Sequence, residues 1–129
     1  MSRLRLALAQ MNATVGDLSG NARIITQRLE EARDGGAHII AFPELAITGY
    51  PPAQLLPKPA FVEANHQTLL SLQQHTKDIT AIIGFVGRDV DLYNAAAVFH
   101  DGEWVGTYRK QRVRNYGVFG ELRYFRPAD

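Results

Sequence analysis

No cysteine occurs in the 129 residues, which excludes disulfides, thiolate metal sites and a thiol nucleophile within this chain. That absence does not report on the redox compartment. Long apolar runs are missing too. No stretch approaches the roughly 18 residues of a spanning helix. The opening MSRLRLALAQ carries Arg3 and Arg5 inside its short apolar stretch, unlike a signal peptide. These features favour a cytoplasmic protein without a membrane partner. Excess charge of one sign is lacking: 14 Lys and Arg stand against 13 Asp and Glu, a net +1. There is thus no bulk electrostatic case for nucleic acid or an anionic surface. His38, His66, His75 and His100 are scattered without metal-ligand spacing. Neither a G-x-S-x-G elbow nor a P-loop is present, and Gly84-Phe85-Val86-Gly87 reads as strand and turn, not a dinucleotide fingerprint.

What is present is ordinary globular material. Hydrophobic residues make up 46% and charged ones 21%, in a length that allows one domain, 1–129, with a moderate core. Leu4 to Gln10 has strand length and is apolar around Arg5. A helical pattern begins at Leu18 with Ser19 or Asn21 as candidate caps. Ile24, Ile25, Leu29 and Ala32 recur at helical spacing, and Asp34-Gly35-Gly36 stops the run. Ala37 to Phe42 is continuously apolar, the type of strand buried on both faces, and Pro43 ends it. Pro51, Pro52, Pro57 and Pro59 predict a non-helical, non-sheet loop whose length suggests the rim of a site. Phe61 to Thr76 returns to helical periodicity, with Val62, Leu69, Leu70 and Leu72 facing inward. Ile79 to Val86 is a further strand. Asp89 to Asp91 is a turn. Tyr93 to His100 and Glu103 to Tyr108 form a hairpin about Asp101-Gly102.

Strand, helix, strand, helix, strand and hairpin argue for an α/β domain with helices packed on a sheet. The first strand is expected in the sheet interior. The polar, basic segment after Lys110 adds no closing element, as in a domain that has been cut.

Two residues carry candidate chemistry. Glu44 follows a buried strand and a proline, where α/β sheets place their sites. Partial burial there would prepare it as a general base. Read alone, it is more simply a strand-end glutamate facing water or pairing an arginine. Lys110 ends the returning hairpin strand, where an ammonium can hold an oxyanion or simply guard a sheet edge. Arg109, Lys110, Arg112 and Arg114, interleaved with Tyr108 and Tyr116, could be read as an RNA surface. The cluster is short and has no domain-level charge behind it.

Together, ALAQMNATVGDLSGN, AFPELAITGYPPAQLL and YRKQRVRNYGVFGELRYF resemble the nitrilase-type carbon–nitrogen hydrolase superfamily. Within it they look most like the N-terminal glutamine amidotransferase domain of glutamine-dependent NAD synthetases, NYGVF being the most specific element. The resemblance covers the whole chain. It implies an α-β-β-α sandwich, of which this chain is the N-terminal half, and a Glu-Lys-Cys triad hydrolysing the side-chain amide of glutamine. Glu44 matches the general base, Lys110 the lysine that stabilises the tetrahedral intermediate, and Tyr116 a position contacting glutamine. Glu121 matches a supporting glutamate. The cysteine would follow on a later strand, so the chain alone is expected to be inactive and to need the remainder of its polypeptide. No cofactor is implied in this chain. ATP and Mg would belong to an absent synthetase domain that amidates nicotinic acid adenine dinucleotide. Arg114 stands where the family has proline, and Gly120 where it has aspartate, which weakens the assignments of Tyr116 and Glu121. Two alternatives stay open: another nitrilase-like amidase, and a non-catalytic nitrilase-like binding module. Half a sandwich would expose an apolar face and sheet edges, so association, as a homo-oligomer, is expected.

Overall fold

The computed structural model describes residues 3–111 and 125–127. Tyr116 and Glu121, with Arg112, Arg114 and Gly120, lie outside the described residues. The elements run β1 (Leu6–Leu8), α1 (Leu18–Asp34), β2 (Ile39–Ala41), α2 (Pro59–Leu72), β3 (Thr80–Arg88), β4 (Leu92–His100) and β5 (Glu103–Arg109). They build a five-stranded sheet in the order β1-β2-β3-β4-β5. The first two pairings are parallel and the last two antiparallel.

Right-handed crossovers that step in one direction put their helices on one face of a sheet. The core shows this: Ile25 and Leu29 of α1 and Leu69 and Leu72 of α2 join Ile40, Ala81, Ile83, Ala97 and Phe99 in one buried cluster. Each large side chain so buried contributes about 1.5–3 kcal/mol. Strand alternation sends their neighbours to the opposite face. On that face Leu6 is 55% and Leu8 73% exposed, and Ile82 and Val98 are only partly covered. The described residues thus supply one helix layer and one sheet, two layers of an α-β-β-α sandwich.

Several local expectations need correction. Asp17 caps α1, its Oδ1 accepting from Gly20 N at 3.0 Å. Ser19 and Asn21 fall one and three residues inside the helix, past the position whose side chain reaches the free N–H groups. At the other end Gly36 adopts φ +81. Gly36 N bonds Arg33 O and Ala37 N bonds Ala32 O, the Schellman closure that the two glycines anticipate. Leu70 is 37% exposed; the inward face of α2 runs through Val62, Asn65, Leu69 and Leu72. The proline-rich segment is not wholly irregular. Ala53–Leu55 forms a 3-10 turn, and Pro59 opens α2, where its missing N–H costs nothing. The segment seats Leu56 against Leu45, Val62, Val86 and Phe125. Finally, β1 is an edge of the described sheet and not its interior. The Asp101-Gly102 hairpin forms as expected, with φ of +49 and +83, the backbone of a two-residue type I′ turn.

Candidate active site

Glu44 lies just past the carboxyl end of β2, in a tight turn laid across β3. Phe42 N bonds Ile82 O at 2.9 Å, Ile47 N reaches Gly84 O at 3.3 Å, and Gly49 N closes the turn on Leu45 O at 2.8 Å. Two backbone features set this path. Leu45 takes φ +49 while fully buried, a left-handed conformation that costs a leucine of order 1 kcal/mol and turns the chain sharply after Glu44. Gly84 lies directly beneath. A Cβ there would sit 2.4 Å from Pro43 O, 2.5 Å from Leu45 N and 2.9 Å from the Glu44 carbonyl carbon. Only glycine lets the turn pass so close to the sheet.

Lys110 follows β5, its N bonded to Asn94 O at 2.8 Å. Strand alternation sends Tyr108 and Lys110 to the uncovered face and Arg109 to the other. There Arg109 stacks 4.2 Å from the Tyr93 ring centroid and pairs with Asp89 at 3.6 Å. The basic cluster read from the sequence is thereby split between faces, at least for its described members.

The two candidates meet. Lys110 Nζ stands 3.0 Å from Glu44 Oε1 and 3.3 Å from Oε2, across 66 residues of sequence. Asn94, 3% exposed in β4, donates from Nδ2 to Glu44 Oε2 at 3.3 Å. Phe42, Pro43, Gly84, Ala95, Ala96 and Tyr108 also line the pocket around them. The pocket opens on the uncovered sheet face. In one respect the geometry departs from expectation. The Glu44 side chain is 53% exposed, against 20% for Lys110, because no second layer among the described residues covers it. None of the proline-rich segment lines this pocket.

Sequence reasoning missed Asn94 and Gly84. Strand propensity swallowed the first within YNAAAVFH and the second within ITAIIGFV. It took Asn21 only as a candidate cap and passed over Asn65, each of which occupies the inward stripe of its helix. Asn21 bonds Thr14 N and O and donates to Ile47 O at 2.9 Å. Asn65 accepts from Val86 N at 3.1 Å and donates to Val86 O at 2.7 Å. A polar residue in phase with an apolar helical stripe was the available signal.

Among the described residues the remaining titratable groups do not gather into a second site. Glu63 is held below the usual carboxylate range by the Gln67 hydrogen bond and by Arg88. His38 and His100 accept or share hydrogen bonds with Arg5 N and Thr80. No group of three metal-binding side chains occurs among the described residues, and none of their helices is long and apolar enough to cross a membrane.

The fold, with a glutamate and a lysine joined at the end of its strands, can be set beside known proteins. A family model described as carbon-nitrogen hydrolase matches residues 5–128. The chain belongs to the carbon–nitrogen hydrolase family. It is 46% identical to the glutamine-dependent NAD(+) synthetase of Thermotoga maritima, over 100% of this chain and 23% of that protein. The structure of the glutamine-dependent NAD+ synthetase of Acinetobacter baumannii superposes with a TM-score of 0.91 at 34% identity, covering 98% of this chain and 24% of that one. An amidase from Nesterenkonia sp. superposes at 0.82 with 25% identity, over 98% of this chain and 48% of that one. This carbon–nitrogen hydrolase chain spans about a quarter of the length of the synthetases it matches, their N-terminal nitrilase-like part.

Proposed function

We propose that this chain is the first portion of the glutaminase domain of a glutamine-dependent NAD synthetase. The observation that carries the reading is the Glu44–Lys110 pair at 3.0 Å, held at the strand ends of a carbon–nitrogen hydrolase fold. The reaction needs three groups. A thiolate attacks the side-chain amide carbon of glutamine. Lys110 offsets the charge that develops on the carbonyl oxygen. Glu44 takes the thiol proton and delivers it to the departing ammonia. Water then hydrolyses the thioester to glutamate, releasing the thiol. The thiol must come from further along the polypeptide, since no cysteine is present here. Tyr116 as a glutamine contact and Glu121 as a supporting carboxylate complete the proposal. The ammonia would pass to an ATP- and Mg-dependent synthetase domain that amidates nicotinic acid adenine dinucleotide, in a cytoplasmic homo-oligomer.

The test is glutamate release from glutamine by the complete polypeptide, by its Glu44→Gln variant, and by residues 1–129 alone. The complete protein should turn over, and the variant should lose on the order of 1,000-fold or more. The isolated chain should show none. Turnover by the isolated chain above that of its own Glu44→Gln control would refute the triad assignment.

A further inference from the structure

Asn94 touches both halves of the site, and its chemistry suits the place. Its backbone carbonyl accepts from Lys110 N at 2.8 Å. Its side-chain Nδ2 donates to Glu44 Oε2 at 3.3 Å. It is 3% exposed and belongs to β4, the longest strand with β3 and paired on both sides. Glu44, by contrast, is on a turn with a half-exposed side chain, so its own surroundings fix its carboxylate poorly. An asparagine amide donates two N–H groups and carries no charge. It can therefore orient a carboxylate without a second cation to compete with Lys110.

We propose that Asn94 is a positioning residue of the glutaminase site, locking the Glu44 carboxylate from the side of β4 while tying the end of β5 that bears Lys110. The proposal rests on the glutaminase reading and deepens it. Lys110 spans both carboxylate oxygens, at 3.0 and 3.3 Å, and Asn94 adds a second donor to Oε2, so the amide fixes the rotation of the carboxylate that the ammonium alone leaves open. An amide that aligns a base acts in the proton-transfer step, so its loss is felt in kcat more than in substrate affinity.

The experiment compares wild type, Asn94→Ala, Asn94→Asp and Glu44→Gln in the complete polypeptide, following glutamate release across pH with melting temperatures recorded in parallel. Asn94→Ala should lower kcat roughly 10- to 100-fold with KM for glutamine within about threefold. Asn94→Asp keeps the shape and the backbone contact to Lys110. Ionised, it sets a second carboxylate against Glu44; protonated, it can donate again. Its deficit relative to wild type should therefore shrink as pH falls from about 8 to about 5.5, a behaviour that a merely structural role would not produce. If Asn94→Ala fails to fold, the pH response of Asn94→Asp decides alone. A kcat within about twofold of wild type in Asn94→Ala, or an Asn94→Asp deficit that does not change with pH, overturns the proposal while Glu44→Gln is still inactive. A Glu44→Gln protein as active as wild type, or an inactive wild type, overturns the glutaminase reading and this proposal with it.

Discussion

Gly84 is the residue on which the placement of Glu44 turns. Adding one methyl group meets backbone atoms at 2.4 and 2.5 Å, and backbone, unlike a flexible side-chain tip, has nowhere to go. Gly84→Ala should push the Pro43–Leu45 turn off the sheet. On the proposed glutaminase reading, the complete protein should lose glutamine hydrolysis on the order of 100-fold, and wild-type kinetics would show that the turn tolerates the shift. Glu44 and Lys110 were legible in the sequence because each follows a strand-like run and falls in a segment that resembles carbon–nitrogen hydrolase motifs. Gly84 and Asn94 were not. Their roles arise from what passes above them, and a strand segment read by its own periodicity carries no record of the chain that crosses it.

Among the elements, α2 is fastened to β3 by a polar clamp inside an apolar stripe. Asn65 satisfies both Val86 N and Val86 O while fully buried. Asn65→Leu should keep the branched shape and leave both backbone groups unpaired, destabilising by about 2–4 kcal/mol in urea unfolding. A change below about 0.5 kcal/mol would mean that water reaches Val86 instead. A second link between these elements is electrostatic. Glu63 accepts from Gln67 and pairs with Arg88 of β3 at 2.8 Å, and its carboxyl is held below the usual range. A depressed carboxylate stabilises the fold above its unfolded pKa, and that contribution is lost as pH falls through the lowered folded value. Glu63→Gln should thus flatten the acid limb of stability against pH, slightly, since the group is exposed. Element types and most boundaries followed from periodicity, and the Schellman closure and the hairpin turn were signalled by Asp and Gly, whereas the Asp17 cap was passed over for Ser19 and Asn21. Pro59 was misplaced because proline, excluded from a helix interior, is welcome in its first turn, and Leu70 because it lies about 100° around the helix from Leu69, off the stripe of Val62, Asn65, Leu69 and Leu72.

For the whole molecule, the decisive feature is the uncovered face of the sheet. Leu6, Leu8 and Tyr108 are more than half exposed there, beside Ile82 and Val98. Among the described residues β1 and β5 are both edges, and exposed edges and apolar faces drive association. Residues 1–129 alone should sediment as oligomer or aggregate at micromolar concentration, and Leu6→Lys with Leu8→Lys should shift the distribution towards monomer. A compact, stable monomer of the unaltered chain would contradict the reading of half a sandwich.

Local chemistry determined the element types, the turns and the two charged candidates, because caps, glycines, prolines and hydrophobic periods act within a few residues of themselves. The order of strands had to wait for the tertiary structure, as did the edge position of β1, the buried asparagines and the meeting of Glu44 with Lys110 across 66 residues. These depend on which distant segments share a face, and no segment encodes its neighbours alone. The half-exposed Glu44 shows the same dependence. Its exposure is set by what lies over the sheet face, not by the strand that delivers it.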